Sequence, residues 1–75
     1  MTPARLVECL KILRWHTETL AEALGCDESL VNAWVLDLDE IPVKAGAWID
    51  ALTTAHAAAE TLKPTGLRGK KANPL

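Results

Sequence analysis

The 75-residue sequence contains neither Phe nor Tyr, and no apolar run in it approaches the ~18–20 residues that a membrane span requires. It carries no secretory signal, and its two cysteines, Cys9 and Cys26, do not form a CxxC pair. These absences predict a cytoplasmic protein without a membrane segment, in which both thiols stay reduced and act as small buried apolar groups.

Catalytic patterns are missing as well. The sequence has no Gly-rich phosphate loop, no nucleophile–base pair and no isolated carboxylate pair. Zinc needs four clustered ligands, and the cysteines, His16 and His56 lack the spacing of such a set. We therefore predict no enzyme activity, no metal and no cofactor, and interpret His56 as a partly packed or dimer-contact residue.

Charge is distributed unevenly along the chain. Residues 1–62 hold four cations against ten acids, which leaves −6, whereas residues 63–75 hold four cations and no acid. The composition of the second segment is typical of a flexible tail. The sequence therefore predicts an acidic domain over residues 1–62, followed by a flexible basic tail over residues 63–75.

Apolar residues recur at helical spacing in four segments, which predicts an all-α bundle of four helices, with a fifth left open. The expected helices run from about Pro3 to Arg14, from a cap at Thr17 to an end at Gly25, from Glu28 to about Leu36, and from just after Pro42 to about Leu62. We expect Thr17 to cap the second helix, Gly25 to end it and Asp27 to cap the third.

The apolar positions also predict which faces are buried. On the first three helices these are Leu6, Leu10, Leu13, Leu20, Ala21, Leu24, Val31, Trp34 and Val35. On the long fourth helix the predicted apolar stripe is Ala45, Trp48, Ile49, Leu52, Ala55, Ala59 and Leu62. We expect Trp34 and Trp48 in the core, and the end of the fourth helix to project beyond a body this small.

Several of these residues, in this order, resemble the phage-repressor-like (Cro-type) helix-turn-helix regulators. The resemblance covers roughly residues 6–52 and rests on Leu20, Ala21, Leu24, Gly25, Val31, Trp34, Ile41, Pro42 and Trp48. It implies a compact bundle that binds double-stranded DNA as a homodimer and regulates transcription, with the third helix in the major groove.

The resemblance also implies the residues that contact DNA. Base edges would be contacted by Glu28, Ser29, Asn32 and Ala33, of which Asn32 could pair bidentately with adenine. The resemblance assigns a phosphate contact to Thr17. From their charge we expect further phosphate contacts by Arg5, Arg14, Lys44 and, in the tail, Lys70 and Lys71.

Acidic residues leave a second function open. Asp37 stands where the family usually has Gly, and Asp39 and Glu40 occupy loop positions where it often has Lys or Arg. No Lys or Arg occurs anywhere from residue 15 to residue 43. Such a face could instead dock a basic protein partner. In either case the alanines at 55, 57, 58 and 59 predict a homodimer through the end of the fourth helix.

Overall fold

Four α-helices and no strand are formed by residues 1–73, the part of the chain that this computed structural model describes. The helices are α1 (Pro3–Leu13), α2 (Thr17–Leu24), α3 (Glu28–Val35) and α4 (Val43–Glu60). The prediction of an all-α chain with four helices is confirmed. The last two residues of the predicted tail, Pro74 and Leu75, lie outside the described residues, and the flexibility of the tail stays a prediction.

The limits of α1 follow from its sequence. The hydroxyl of Thr2 accepts a hydrogen bond from the backbone N–H of Arg5 at 3.1 Å, and Pro3 occupies the first helical position, where no N–H is needed. At the other end Arg14 adopts a left-handed conformation with φ 59°. The N–H of Trp15 then bonds to the carbonyl of Leu10 at 2.9 Å and closes the helix.

A three-residue turn, residues 25–27, joins α2 to α3. Gly25 has φ 72°, a conformation that glycine adopts without the steric cost of a Cβ. The N–H of Cys26 bonds back to the carbonyl of Ala21 at 3.0 Å, and Asp27 caps α3 by accepting from the N–H of Ser29 at 2.9 Å. The predicted roles of Gly25 and Asp27 are confirmed.

The predicted capping role of Thr17 is wrong. His16 is the N-cap residue of α2 and makes no side-chain capping bond, while Thr17 is the first residue of the helix. The hydroxyl of Thr17 donates instead to the carboxylate of Glu28 at 2.9 Å. It therefore joins the first turn of α2 to the first turn of α3.

One core connects all four helices. It is formed by Leu6, Cys9, Leu10, Leu20, Ala21, Val31, Trp34, Ile41 and Ile49. The helix pairs in contact are α2 with α3, α1 with α4, and α1 with α3. Cys9 is buried as expected, whereas Cys26 is only half-buried. The position of α3 therefore depends on side chains from every other helix.

The packed face of α4 differs from the predicted stripe. Its buried residues are Gly46, Ile49 and Thr53, whose hydroxyl donates to the carbonyl of Ile49 at 2.8 Å. Trp48 is 41% exposed, and its ring is tilted by 47° to that of half-buried Trp15, with ring centroids 6.4 Å apart. Its predicted place in the core is wrong, because the Trp15 ring provides a partner at the surface.

The second half of α4 is exposed on most sides. Ala55 and Ala59 face solvent, and Leu62 lies beyond the end of the helix and is 83% exposed. His56 is half-buried, with its Nε2 3.2 Å from a carboxylate oxygen of Glu60. Residues 61–73 form turns and irregular backbone and are exposed throughout. None of the helices in residues 1–73 combines the length and apolar character needed to cross a membrane.

Removing the Leu20 side chain measures how much the α2–α3 contact contributes to stability. Leu20 is fully buried, so Leu20→Ala should lower the free energy of unfolding by about 2–5 kcal/mol through lost burial and a residual cavity. Leu38→Ala removes the same atoms from a residue that is 76% exposed and should cost under about 0.5 kcal/mol. Denaturant unfolding of both variants tests this. Equal losses would show that Leu20 is not part of a close-packed core.

Candidate nucleic-acid interface

The outer face of α3 exposes three polar side chains. Glu28, Ser29 and Asn32 face solvent and Ala33 is partly exposed, while Val31 and Trp34 on the opposite face are buried. The four residues that the resemblance assigns to base contacts therefore share one side of the helix. Ser, Asn and Glu side chains on an exposed helix carry the donors and acceptors that can read base edges in a major groove.

Asp27 caps the N-terminus of α3, where the outer face of the helix begins. Hydrogen bonds from Ser29, from its hydroxyl and from its backbone N–H, hold the pKa of Asp27 below its ordinary value. The carboxylate also lies at the positive end of the α3 dipole, where negative charge is favourable. Asp27 is therefore a structural residue, and its negative charge at the edge of the candidate site is a consequence of that role.

Thr17 and Glu28 occupy the point where the first turns of α2 and α3 meet. Their hydrogen bond uses the Thr17 hydroxyl as donor and one Glu28 oxygen as acceptor. A phosphate bound at Thr17 would lie beside this carboxylate, so a direct contact from the Thr17 hydroxyl requires Glu28 to move. The backbone N–H groups of the first turn of α2 remain available to an anion.

The exposed residues of α2, of α3 and of the segments next to α3 are strongly acidic. Seven exposed carboxylates come from this part of the chain: Glu18, Glu22, Asp27, Glu28, Asp37, Asp39 and Glu40. Since DNA affinity depends mostly on neutralising phosphates, this surface opposes approach of a phosphate backbone. Any cation that contacts DNA must come from outside residues 15–43.

Arg5, one of the residues predicted to contact phosphate, is already paired with carboxylates of its own chain. Its guanidinium donates to Asp50 Oδ1 from Nε at 3.2 Å and from Nη2 at 2.7 Å, and it also pairs with Glu8. These bonds, chiefly those to Asp50, raise the pKa of Arg5. The predicted phosphate contact by Arg5 would break an ion pair between α1 and α4.

The other predicted cations lie at different ends of the molecule. Arg14 caps α1, and its charge contributes to lowering the pKa of Glu60, after the larger effect of Lys63, which is 3.1 Å away. Arg14 therefore lies toward the end of α4. Lys44 is exposed in the first turn of α4, and Lys70 and Lys71 are exposed beyond α4.

The segment that follows α3 exposes leucines as well as acids. Asp37 has φ 58°, a left-handed conformation that glycine adopts at lower steric cost. Leu36 and Leu38, on either side of it, are 66% and 76% exposed. The alternation of Leu and acid over residues 36–40 was the signal for this, and we name residues 36–40 the acidic loop.

No three His, Cys, Asp or Glu residues within positions 1–73 cluster closely enough to hold a metal ion. Comparison of the chain with protein-family models, with curated proteins and with solved structures finds no match.

Replacing Asp27 with Asn tests the capping role. Because the native pKa of Asp27 lies below its unfolded value of about 3.9, its carboxylate adds stability above that pH and loses this contribution as pH falls through the native pKa. Asn keeps an acceptor at the cap and does not titrate. The melting-temperature advantage of the wild type over Asp27→Asn should therefore shrink between neutral pH and about pH 2.

Thermal unfolding at stepped pH provides the measurement. Asp27→Ala, which has no acceptor at all, serves as the matched variant and should melt below Asp27→Asn at every pH. A wild-type advantage that stays constant down to the lowest pH would contradict the assignment.

Proposed function

We propose that this chain is a sequence-specific DNA-binding regulator of the helix-turn-helix class, acting as a homodimer with α3 in the major groove. The observation that carries the proposal is the outer face of α3, where Ser29 and Asn32 are exposed and the opposite face is fixed in the core. The three-residue turn at Gly25 and the bracing of α3 by α2 are the geometry that such regulators use.

The charge pattern limits how such a complex could form. With seven carboxylates around α3, affinity for unselected DNA would be weak and would depend on Lys44 and on the cations after residue 60. Base contacts by α3 would then supply a larger share of the binding energy than in a basic regulator. Selection of binding sites from random duplexes should therefore be carried out at low salt, where phosphate contacts are strongest.

Asn32→Ala tests the base contact. Loss of one bidentate base contact, worth about 1–3 kcal/mol, should weaken binding to the selected site roughly 5–150-fold and leave binding to unselected DNA unchanged. Thr65→Ala, an exposed polar-to-alanine change after α4, should leave both affinities unchanged. Titrations read by fluorescence anisotropy measure both. Enrichment of no sequence at low salt, or an unaltered Asn32→Ala affinity, would refute the proposal.

A second candidate function is favoured by the acidic loop. The exposed Leu36 and Leu38, together with Asp37, Asp39 and Glu40, suit a basic, partly apolar protein surface. Substituting Lys for all three acids separates the candidates. A DNA-binding protein should bind a duplex short enough for one protomer at least tenfold more tightly, because repulsion becomes attraction. An interaction module should lose its protein partner and gain no sequence-specific DNA binding.

A further inference from the structure

One side of α4 is mostly apolar and exposed, and its apolar residues continue past the end of the helix to Leu62. Six exposed residues define this outer stripe: Val43, Ala47, Ala51, Ala55, Ala58 and Leu62. They recur at intervals of three or four residues, so they lie on one side of the helix. The two ends of the outer stripe are its most exposed members, Val43 at 84% and Leu62 at 83%.

Two polar residues, Lys44 and Thr54, are exposed on the same side of α4 as the outer stripe, whereas the carboxylates of the helix are paired with cations. Asp50 and Glu60 pair with Arg5 and Lys63, and Thr53 is buried. A surface helix of a monomer normally places charged residues on its solvent side, whereas a helix that is apolar on both sides is normally covered on both. The small side chains of the outer stripe permit close approach of another helix.

The two segments that flank α4 carry opposite charge. The acidic loop before it has Asp37, Asp39 and Glu40, and among residues 1–73 no Lys or Arg pairs with these three. The segment after it, residues 67–71, has three exposed cations beside an exposed leucine, Leu67. Three acids with two leucines therefore precede the helix, and three cations with one leucine follow it.

We propose that a second copy of this chain covers the outer stripe, with the two α4 helices antiparallel and residues 67–71 of each copy docked on the acidic loop of the other. This deepens the homodimer of the proposed function and does not rest on DNA contact. Such a pair is closed and two-fold symmetric, because each copy gives the same helix face, the same loop and the same basic segment.

The length of the chain fits this arrangement. If the helices cross at Ala55 and Ala58, Leu62 lies level with about residue 51 of the other copy. The five residues to Leu67 span about 17 Å when extended, equal to about eleven residues of helix. Leu67 then reaches about residue 40 of the other copy, and the cations that follow it lie along the acidic loop.

The same contact cannot form fully within one chain. The 18 residues of α4 extend about 27 Å, whereas the seven residues from Glu60 to Leu67 reach back at most about 24 Å. Leu67 therefore stops short of the loop before Val43, whereas in the antiparallel pair it reaches the level of residue 40. Mixing of charge-reversed variants distinguishes docking of the cations within one chain from docking between copies.

A shallow groove offers a place for the docked leucine. Its volume is about 360 Å³, and it lies between the start of α1 and the first turn of α4, where Val43 and Ala47 of the outer stripe form part of its wall. In the antiparallel pair this groove lies at the level that Leu67 of the second copy reaches. Burial of that leucine would add an apolar contact to the charged ones.

Glutamates on the outer stripe test the helix contact. Sedimentation equilibrium at about 50 mM salt, where exposed charge pairs are weakly screened, should give twice the monomer mass of 8.1 kDa for the wild type. Ala51→Glu with Ala55→Glu should give a monomer that keeps its helical circular dichroism. Ala57→Glu, an exposed alanine outside the outer stripe, is the matched control and should remain a dimer.

Charge reversal tests the second contact. The loop variant carries Lys at positions 37, 39 and 40, and the tail variant carries Glu at positions 68, 70 and 71. Each alone should weaken dimerisation at least tenfold, since six exposed pairs of modest strength are lost in each dimer and replaced by repulsion. The chain with all six changes should recover the wild-type dimer.

Mixing the two variants separates docking between copies from docking within one chain. In the mixed dimer the basic tail of one variant meets the acidic loop of the other, and the acidic tail meets the basic loop. An equal mixture should therefore form dimers although neither variant does so alone. A monomeric wild type, an unaffected Ala51→Glu, Ala55→Glu double variant, or a mixture that stays monomeric would each overturn the proposal, and none of these results depends on DNA.

Discussion

The packing of α2 against α3 is the constraint on which the rest of the structure depends. Leu20 comes from α2, Val31 and Trp34 come from α3, and all three belong to the one core that α1 and α4 complete. This contact requires the chain to reverse within three residues, which the left-handed Gly25 allows. Because one face of α3 is fixed in this way, its other face is held outward on a rigid support. Any function assigned to α3 depends on that rigidity.

Two of the acids at the edge of α3 stabilise the fold whether or not a ligand is bound. Asp27 caps the helix, and Glu28 accepts the Thr17 hydroxyl that ties the first turns of α2 and α3 together. Asp37 and Asp39 have no comparable role in the fold beyond the turn that they form. The negative charge around α3 therefore has two origins, and the charge of the acidic loop is one that the fold does not require.

The sequence predicted the helices well because capping and glycine chemistry act locally. Gly25 and Asp27 could be placed from their neighbours alone, and the buried face of α3 followed from the spacing of its apolar residues. The contacts of Thr17 and Trp48 could not be predicted in this way, because their partners, Glu28 and Trp15, are distant in sequence. On α4 nearly every position is apolar or small, so periodicity gave no way to tell the face packed against α1 from the face left open.

The two apolar faces of α4 are both explained if one face is buried within the chain and the other is buried between two copies. In that arrangement the cations after α4 would lie on the acidic loop of the other copy, beside the α3 face. A surface that repels phosphates in a single chain would then be neutralised in the pair. Charge would thereby couple assembly to DNA affinity, because the concentration of the chain would set how much of the acidic loop is covered.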